Sequence, residues 1–214
     1  MDRSVDAMKG LVDACSSNTV GLIYAGGKAT RMGGINKAFA CFEGRRLIDH
    51  VLDTLRAQCS RVIISANRDL DEFAGMADAV LPDVGTDFPG PLGALAAFSL
   101  LHLPDCEWVL TAPCDAPRAP RTLLLQFAAA QREASDRGSA SSAFFAFAGG
   151  RPQPAFALLH VSTLPAIARY LARDGQRLGG ALRAVGAQQV DFDDAAAFVN
   201  LNSEEDCRSE EKMR

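Results

Sequence analysis

Short apolar runs alternate with amphipathic segments along this chain, a pattern that predicts strands joined by helices. The first apolar run, Val20–Tyr24, is rich in β-forming residues and long enough for one buried strand. Apolar positions then recur at three- and four-residue steps, which predicts a helix over 47–57. Because helices connect the parallel strands of a sheet, this alternation predicts an α/β domain with helices on both faces.

The remaining elements follow from the same patterns. Further strands are predicted at 61–66, 79–81, 107–112, 139–148, 155–159 and 188–192, with an extended piece at 38–42. Further helices are predicted at 69–76, 92–101, 120–132, 163–173, 178–185 and after Ser203, which has Asp206 three residues later as in a capping motif. A hairpin turn is predicted at 149–154. We expect an extension at 1–18, the domain at 19–208 and a charged tail at 209–214.

Composition and charge exclude several classes of protein. The 214 residues are 48% hydrophobic and 22% charged, which fits one globular domain. A net charge of −4 argues against a nucleic-acid binder, and the longest apolar stretch, 91–103, is too short to span a bilayer. The six cysteines lack metal-site spacing, and no apolar signal segment follows the first residues. We therefore expect a cytoplasmic protein with reduced thiols.

The loop after the first strand carries the clearest candidate chemistry. It contains four glycines and three cations, namely Gly26, Gly27, Lys28, Arg31, Gly33, Gly34 and Lys37. Glycine lets backbone N–H groups approach a bulky anion, while Arg31 offers a planar fork and Lys37 a point charge for phosphate oxygens. The spacing matches neither the P-loop nor G-x-G-x-x-G. A nucleoside triphosphate is the favoured ligand, and a glycine-rich turn with solvated charges is the alternative.

Polar residues also follow the later strands. Asn67, Asp83 and Asp115 each come after a predicted strand, and ligands of such sheets bind at the carboxyl ends of the strands. We therefore expect them beside the glycine loop. An Asp in such a place is often a turn former or N-cap, but the buried strand before Asp115 and the flanking prolines favour a ligand. Mg²⁺ takes one or two carboxylates together with phosphates and water.

These motifs, in this order, resemble those of a known family. A strand ending in AGG, then RMGG and Lys37, followed by SANR, GPL and PCD segments, is similar to the molybdenum cofactor guanylyltransferases (the MobA family) over about 19–208. The resemblance implies a single Rossmann-like three-layer domain with a mostly parallel twisted sheet, of the nucleotide-diphospho-sugar transferase type. It implies GMP transfer from GTP to molybdopterin, with or without its molybdenum, with Mg²⁺ as cofactor and pyrophosphate as product. Cofactor-delivering proteins or apo-molybdoenzymes are the protein partners it suggests.

The resemblance also implies roles for individual residues. The implied catalytic residues are Arg31, Lys37 and Asp115, and Asp115 is the metal ligand. The implied nucleotide-binding residues are Tyr24, Ala25, Gly26, Gly27, Lys37, Ser65, Asn67, Asp83, Gly90, Pro91, Leu92 and Asp115. The implied acceptor-binding residues are Arg151, Gln153, Asn200 and Asn202. From the residues themselves, a hairpin turn at 150–154 and a helix start at Asn202 are the alternatives.

This chain departs from the family pattern at a few positions. Tyr24 occupies the usual Leu position, Ser65 replaces an Asn that helps to bind GTP, and Gly93–Ala94 reverses the usual order. A molybdopterin cytidylyltransferase, a sugar-phosphate nucleotidyltransferase and a non-catalytic nucleotide-binding carrier or adaptor are the alternative functions. The GPL and PCD segments favour guanine over cytosine, and the presence of Lys37 and Asp115 argues against the carrier. Cys114 has no predicted base beside it and is expected to be structural.

Overall fold

The computed structural model describes residues 15–26, 36–83, 90–173, 175 and 177–212. Its strands are β1 Thr19–Tyr24, β2 Cys41–Phe42, β3 Arg45–Arg46, β4 Arg61–Ser65, β5 Ala79–Leu81, β6 Trp108–Pro113, β7 Ala143–Ala148, β8 Arg151–His160 and β9 Gln188–Phe192. Its α-helices are α1 Leu47–Arg56, α2 Leu70–Ala74, α3 Pro91–Phe98, α4 Leu123–Asp136, α5 Leu164–Leu171, α6 Leu178–Ala184 and α7 Glu204–Lys212. Short 3₁₀ turns lie at Lys37–Phe39, Val161–Thr163 and Ala195–Phe198.

Seven of these strands form one sheet in the order β5-β4-β1-β6-β8-β7-β9. Strand β8 is antiparallel to both β6 and β7, and the other neighbouring pairs are parallel. Helices α1, α2 and α4 pack on one face of the sheet, and α3, α5 and α6 pack on the other. The predicted three-layer α/β domain with a mostly parallel sheet is confirmed.

Strand β1 lies near the middle of the sheet, and all six of its residues are buried. Its alternate side chains enter the two cores, so that Leu22 faces α3 while Ile23 faces α1. A Cβ at Gly21 would lie 3.2 Å from Leu55 Cδ1. Glycine therefore lets α1 approach the sheet closely, and this packing fixes the strand that leads into the glycine loop.

Two local predictions were wrong. The predicted extended piece at 38–42 begins instead as the 3₁₀ turn Lys37–Phe39, and only Cys41–Phe42 is a strand. Burial of Ala38 and packing of the Phe39 ring on the Phe73 ring, 4.9 Å between centroids, favour the turn over extended backbone. The predicted hairpin at 139–159 is confirmed, but its turn is shorter than predicted. Gly149 and Gly150 both adopt positive φ, as a two-residue hairpin loop requires, so 151–154 belong to β8.

The last helix begins as predicted. The Ser203 hydroxyl accepts a hydrogen bond from the Asp206 N–H, and the Asp206 carboxylate accepts one from the Ser203 N–H. The helix continues to Lys212, and the domain boundaries at 18 and 208 remain predictions. Among the described residues, no helix combines the length and apolar character needed to cross a membrane.

Candidate active site

The turn that leaves β1 is tied to both neighbouring strands at their carboxyl ends. On one side the Ala25 N–H donates to the Ser65 carbonyl of β4 at 2.8 Å. On the other side the Cys114 N–H donates to the Tyr24 carbonyl at 3.1 Å. The predicted residues after β1, β4 and β6 are therefore brought to the same edge of the sheet, as the strand order requires.

Asp83 is the centre of a hydrogen-bonded cluster at this edge. Its carboxylate accepts from the Ser65 hydroxyl at 2.5 Å and from the Asn67 side-chain amide at 2.9 Å. The Asp83 N–H in turn donates to the Asn67 side-chain carbonyl at 2.9 Å. Ser65 is buried, so its hydroxyl holds the Asp83 carboxylate in place.

Gly26 lies directly against this cluster. A Cβ at Gly26 would lie 3.1 Å from both the Asn67 amide nitrogen and an Asp83 carboxylate oxygen, closer than most real Cβ contacts. A side chain at this position would push the cluster away. The close approach explains why glycine is needed directly after Ala25, and it brings the backbone of the loop next to a fixed carboxylate.

Lys37 and Asp115 form an ion pair at the end of β6, 78 residues apart in the chain. The Lys37 side chain is 24% exposed and that of Asp115 is 14% exposed, so the pair is mostly withdrawn from water. The Lys37 ammonium also donates to the Asn202 side-chain carbonyl at 2.6 Å. An ammonium has three donors, so the two partners found among the described residues leave one donor that could contact a ligand.

The backbone around Lys37 is held firmly. The Asn36 side-chain carbonyl caps the 3₁₀ turn by accepting from the Ala38 N–H at 3.1 Å. The Asn36 amide nitrogen donates to the Asp69 carboxylate at 2.8 Å. Because Ala38 and Phe39 pack on the core side, Lys37 projects from a fixed turn.

The second oxygen of Asp115 suits a metal ion. Asp115 Oδ1 is buried and has no hydrogen-bond partner among the described residues. A buried carboxylate oxygen without a partner is costly, and a cation would satisfy it. In the described part of the chain, no three or more His, Cys, Asp or Glu side chains are grouped to hold a metal. A metal here would therefore take one protein carboxylate and complete its shell with phosphate and water, which fits Mg²⁺.

The predicted rim of the nucleotide site begins at α3. Gly90 adopts φ 62°, which favours glycine, and Pro91 occupies the first turn of the helix. The Leu92 side chain is buried with that of Tyr24 in the core beneath this edge. Burial raises the pKa of the Tyr24 hydroxyl above its usual range, so the side chain stays neutral. Tyr24 and Leu92 thus belong to the core at this edge, and their roles in nucleotide binding remain predictions.

The four predicted acceptor residues lie on two segments at the same edge. Gln153 pairs with Ala146 and Arg151 pairs with Ala148. The register of β7 and β8 shifts between Phe145 and Ala146, just before these pairs. Both partner alanines belong to the core that contains Phe198. Phe198 lies two residues before Asn200, so both segments connect to this core.

The sequence does not indicate how the segment 200–203 contacts the ion pair. The Asn202 contact with Lys37 spans 165 residues, and the Leu201 N–H donates to the Asp115 carbonyl at 2.8 Å. No local pattern signals such contacts, although the two Asn residues before the final helix were a partial indication. Two predicted residues, Gly27 and Arg31, lie outside the described residues.

Cys114 does not suit a nucleophile. Burial, followed by the neighbouring Asp115 charge, raises the pKa of its thiol to about 12. The thiolate is therefore scarce at neutral pH, in agreement with a structural role.

A separate cleft of about 580 Å³ lies beyond the β6 loop, between α1 and the 3₁₀ turn Ala195–Phe198. None of the predicted site residues in the described part of the chain lines it. Two of its arginines are already paired with carboxylates, Arg45 with Asp53 and Arg118 with Glu210. The ion pair at the sheet edge is the better candidate site, because Asp115 Oδ1 has no partner in the described part of the chain.

A doubly covered sheet with a glycine turn, a lysine and a carboxylate at its carboxyl edge is typical of nucleotide-binding α/β proteins such as the nucleotidyltransferases. The family model for the MobA-like NTP transferase domain matches residues 21–191, and the chain belongs to this family. A molybdenum cofactor guanylyltransferase of Serratia proteamaculans is 42% identical over 188 residues, covering 87% of this chain and 91% of that relative. One of Yersinia pestis is 35% identical over 198 residues, covering 92% and 97%.

Solved structures show the same fold. Molybdopterin-guanine dinucleotide biosynthesis protein A from Archaeoglobus fulgidus aligns with a TM-score of 0.64 at 16% identity, covering 91% of this chain and 97% of that chain. The 4-diphosphocytidyl-2C-methyl-D-erythritol synthase from Anaerococcus prevotii aligns with a TM-score of 0.68 at 14% identity, covering 96% and 99%. The fold thus extends beyond the guanylyltransferases.

The Asp83 cluster makes a prediction about stability. Asp83→Ala removes the acceptor of two hydrogen bonds to a charged group and should lower the free energy of unfolding by about 1.5–3 kcal/mol. Asp105→Ala is the matched control, because Asp105 is exposed and reaches Arg61 at 3.9 Å; its effect should stay within about 0.5 kcal/mol. Urea denaturation measures both. Equal effects of the two substitutions would show that the cluster does not stabilise this edge.

Proposed function

We propose that this protein transfers GMP from GTP to molybdopterin, forming the guanine dinucleotide form of the cofactor and pyrophosphate. The observation that carries the proposal is the Lys37–Asp115 ion pair beside the β1 turn, with one carboxylate oxygen that has no partner among the described residues. The names of the relatives add the substrates, since those proteins are guanylyltransferases of the molybdenum cofactor. A cytoplasmic location fits the six free thiols of the chain.

The reaction requires charge neutralisation more than covalent catalysis. A terminal phosphate oxygen of molybdopterin forms a bond to the α-phosphorus of GTP, and the bond from that phosphorus to the β-phosphate bridging oxygen breaks. Both reactants are anions, so their approach is opposed unless cations are fixed at the reacting group. Lys37 supplies such a cation from a rigid turn, and the backbone at Gly26 lies close enough to the edge to cradle phosphate. The buried Cys114 thiol takes no part.

Asp115 is the proposed ligand of Mg²⁺ through Oδ1, the oxygen that Lys37 does not contact. When bound, Mg²⁺ would neutralise phosphate charge and favour departure of pyrophosphate. Lys37 holds the other carboxylate oxygen and thereby fixes the orientation of the carboxylate. Asp115 is thus aimed at the phosphates before any ligand arrives.

The remaining predicted residues are proposed to bind the nucleotide or the acceptor. Ala25, Ser65, Asn67 and Asp83 shape the nucleotide side of the edge, together with Gly90–Leu92. Arg151, Gln153 and Asn200 are proposed for the acceptor side, and Asn202 for both Lys37 and the acceptor. Gly27 and Arg31 are proposed as phosphate contacts on the family resemblance.

A product assay tests the proposal. The protein is incubated with molybdopterin, Mg²⁺ and equal concentrations of GTP, CTP and ATP, and the pterin products are identified by mass. We expect the guanylylated pterin as the main product and no product when Mg²⁺ is chelated. A cytidylylated pterin as the main product would overturn the guanine assignment. Binding of GTP without release of pyrophosphate would instead indicate a carrier.

Substitution of Lys37 tests the catalytic role of the ion pair. Lys37→Ala should lower turnover by about 10²–10³, the scale for removing one preorganised contact to the transition state. Lys212→Ala is the control, because Lys212 is exposed at the end of α7 and should leave turnover unchanged. Steady-state kinetics with GTP as the varied substrate measure both. Turnover of Lys37→Ala within a few-fold of the wild type would exclude Lys37 from catalysis.

A further inference from the structure

The first turn of α7 is linked to the ion pair through the backbone of Asn202. The Asn202 side-chain carbonyl accepts from the Lys37 ammonium at 2.6 Å, and the Asn202 N–H donates to the Asp206 carboxylate at 2.6 Å. The same Asp206 oxygen accepts from the Ser203 N–H at 3.0 Å. One carboxylate thus fixes two successive backbone N–H groups directly beside the side chain that contacts Lys37.

The adjacent residue ties this segment to Asp115. The Leu201 N–H donates to the Asp115 carbonyl, and the Leu201 side chain is buried against Cys207, Phe42 and Ala40. The segment 200–203 therefore touches both members of the ion pair. A shift of the Asn202 backbone would move the Asn202 side chain and so weaken its hydrogen bond to Lys37. The backbone hydrogen bond from Leu201 to Asp115 would change less.

Helix α7 is itself docked against the loop that follows Asp115 and against the β2–β3 hairpin that follows Lys37. Arg118, three residues after Asp115, pairs with Glu210 of α7, whose side chain is 14% exposed. The Arg118 guanidinium lies over the Phe42 ring, 5.4 Å from its centroid. The Glu43 N–H donates to the Glu211 carboxylate at 2.6 Å. The helix is thus a fixed support, and Asp206 faces the site from its first turn.

We propose that Asp206 is a positioning residue for the reaction, acting on Lys37 through Asn202. The proposal rests on the proposed function. Lysine has a long flexible side chain, and a fixed acceptor limits its ammonium to one region before the triphosphate binds. Asp206 provides that fixed acceptor by holding the Asn202 backbone, and without it Lys37 samples other positions.

A purely structural role would look different. The Asp206–Ser203 pair is also a helix cap, and loss of a cap lowers stability wherever the helix lies. Ser203→Ala removes the hydroxyl that accepts from the Asp206 N–H and leaves the Asp206 carboxylate free to hold Asn202. Ser203→Ala is therefore the matched control for stability. Glu205→Ala is the surface control, since Glu205 is exposed in the same turn.

The experiment compares Asp206→Ala, Asp206→Asn and the two controls by three measurements. These are the melting temperature, kcat and KM for GTP, and the rate at which an amine reagent labels Lys37 without substrate, followed by mass spectrometry. Asp206→Ala should lower kcat about tenfold, as expected for loosening one charge-assisted contact, and should label Lys37 several-fold faster. Asp206→Asn keeps an acceptor oxygen and should recover most of the kcat. Ser203→Ala should lower the melting temperature while leaving kcat and labelling unchanged, and Glu205→Ala should change none of the three.

A double substitution separates the proposed route from others. In the Lys37→Ala background, Asp206→Ala should cause no further loss of kcat, because the residue it positions is gone. An equal loss in both backgrounds, or unchanged Lys37 labelling in Asp206→Ala, would overturn the proposal. If Asp206→Ala does not fold, Asp206→Asn should label Lys37 faster than Ser203→Ala does, and labelling at the wild-type rate would overturn the proposal. If the wild type transfers no GMP, the proposed function fails, and the labelling rates still decide the role of Asp206.

Discussion

The ion pair between Lys37 and Asp115 is the interaction on which the candidate site depends. It joins a turn near the start of the chain to the end of the fourth parallel strand, with both side chains mostly withdrawn from water. A charge in such a place is costly without its partner, so each residue needs the other while no ligand is bound. The pair also leaves one carboxylate oxygen without a partner among the described residues, where a cation is favoured. The same contact thus neutralises the two side chains and places them where they could bind phosphate and a metal ion.

The fold creates this contact by placing distant segments side by side. Strand β1 lies between β4 and β6, so the turn after it is bonded to Ser65 on one side and to Cys114 on the other. The Asp83 cluster and the ion pair therefore flank the same glycine turn. The carboxy-terminal segment closes the arrangement, because Asn202 holds Lys37 while Leu201 holds the backbone of Asp115. Residues from the start, middle and end of the chain meet at one sheet edge.

Much of this architecture could be predicted from local patterns. The alternation of apolar runs and helices indicated the sheet, and positions directly after strands indicated where Asn67, Asp83 and Asp115 would gather. The 3₁₀ turn at Lys37 could not be predicted in this way, because it depends on packing of Phe39 against Phe73 from a later helix. The direct contacts of Lys37 could not be predicted either, because 78 residues separate it from Asp115 and 165 residues separate it from Asn202. The cap at Ser203 could be predicted from the sequence, but the hydrogen bond from the Asn202 N–H to the Asp206 carboxylate could not.

The most direct test of this account is a crystal structure with an unreactive GTP analogue and Mn²⁺, in which anomalous scattering locates the metal. We expect an anomalous peak beside Oδ1 of Asp115, in contact with the phosphates of the analogue. We also expect the Lys37 ammonium to contact those phosphates while it stays hydrogen-bonded to Asn202. A triphosphate bound away from the turn at Gly26, or a metal held without Asp115, would contradict it.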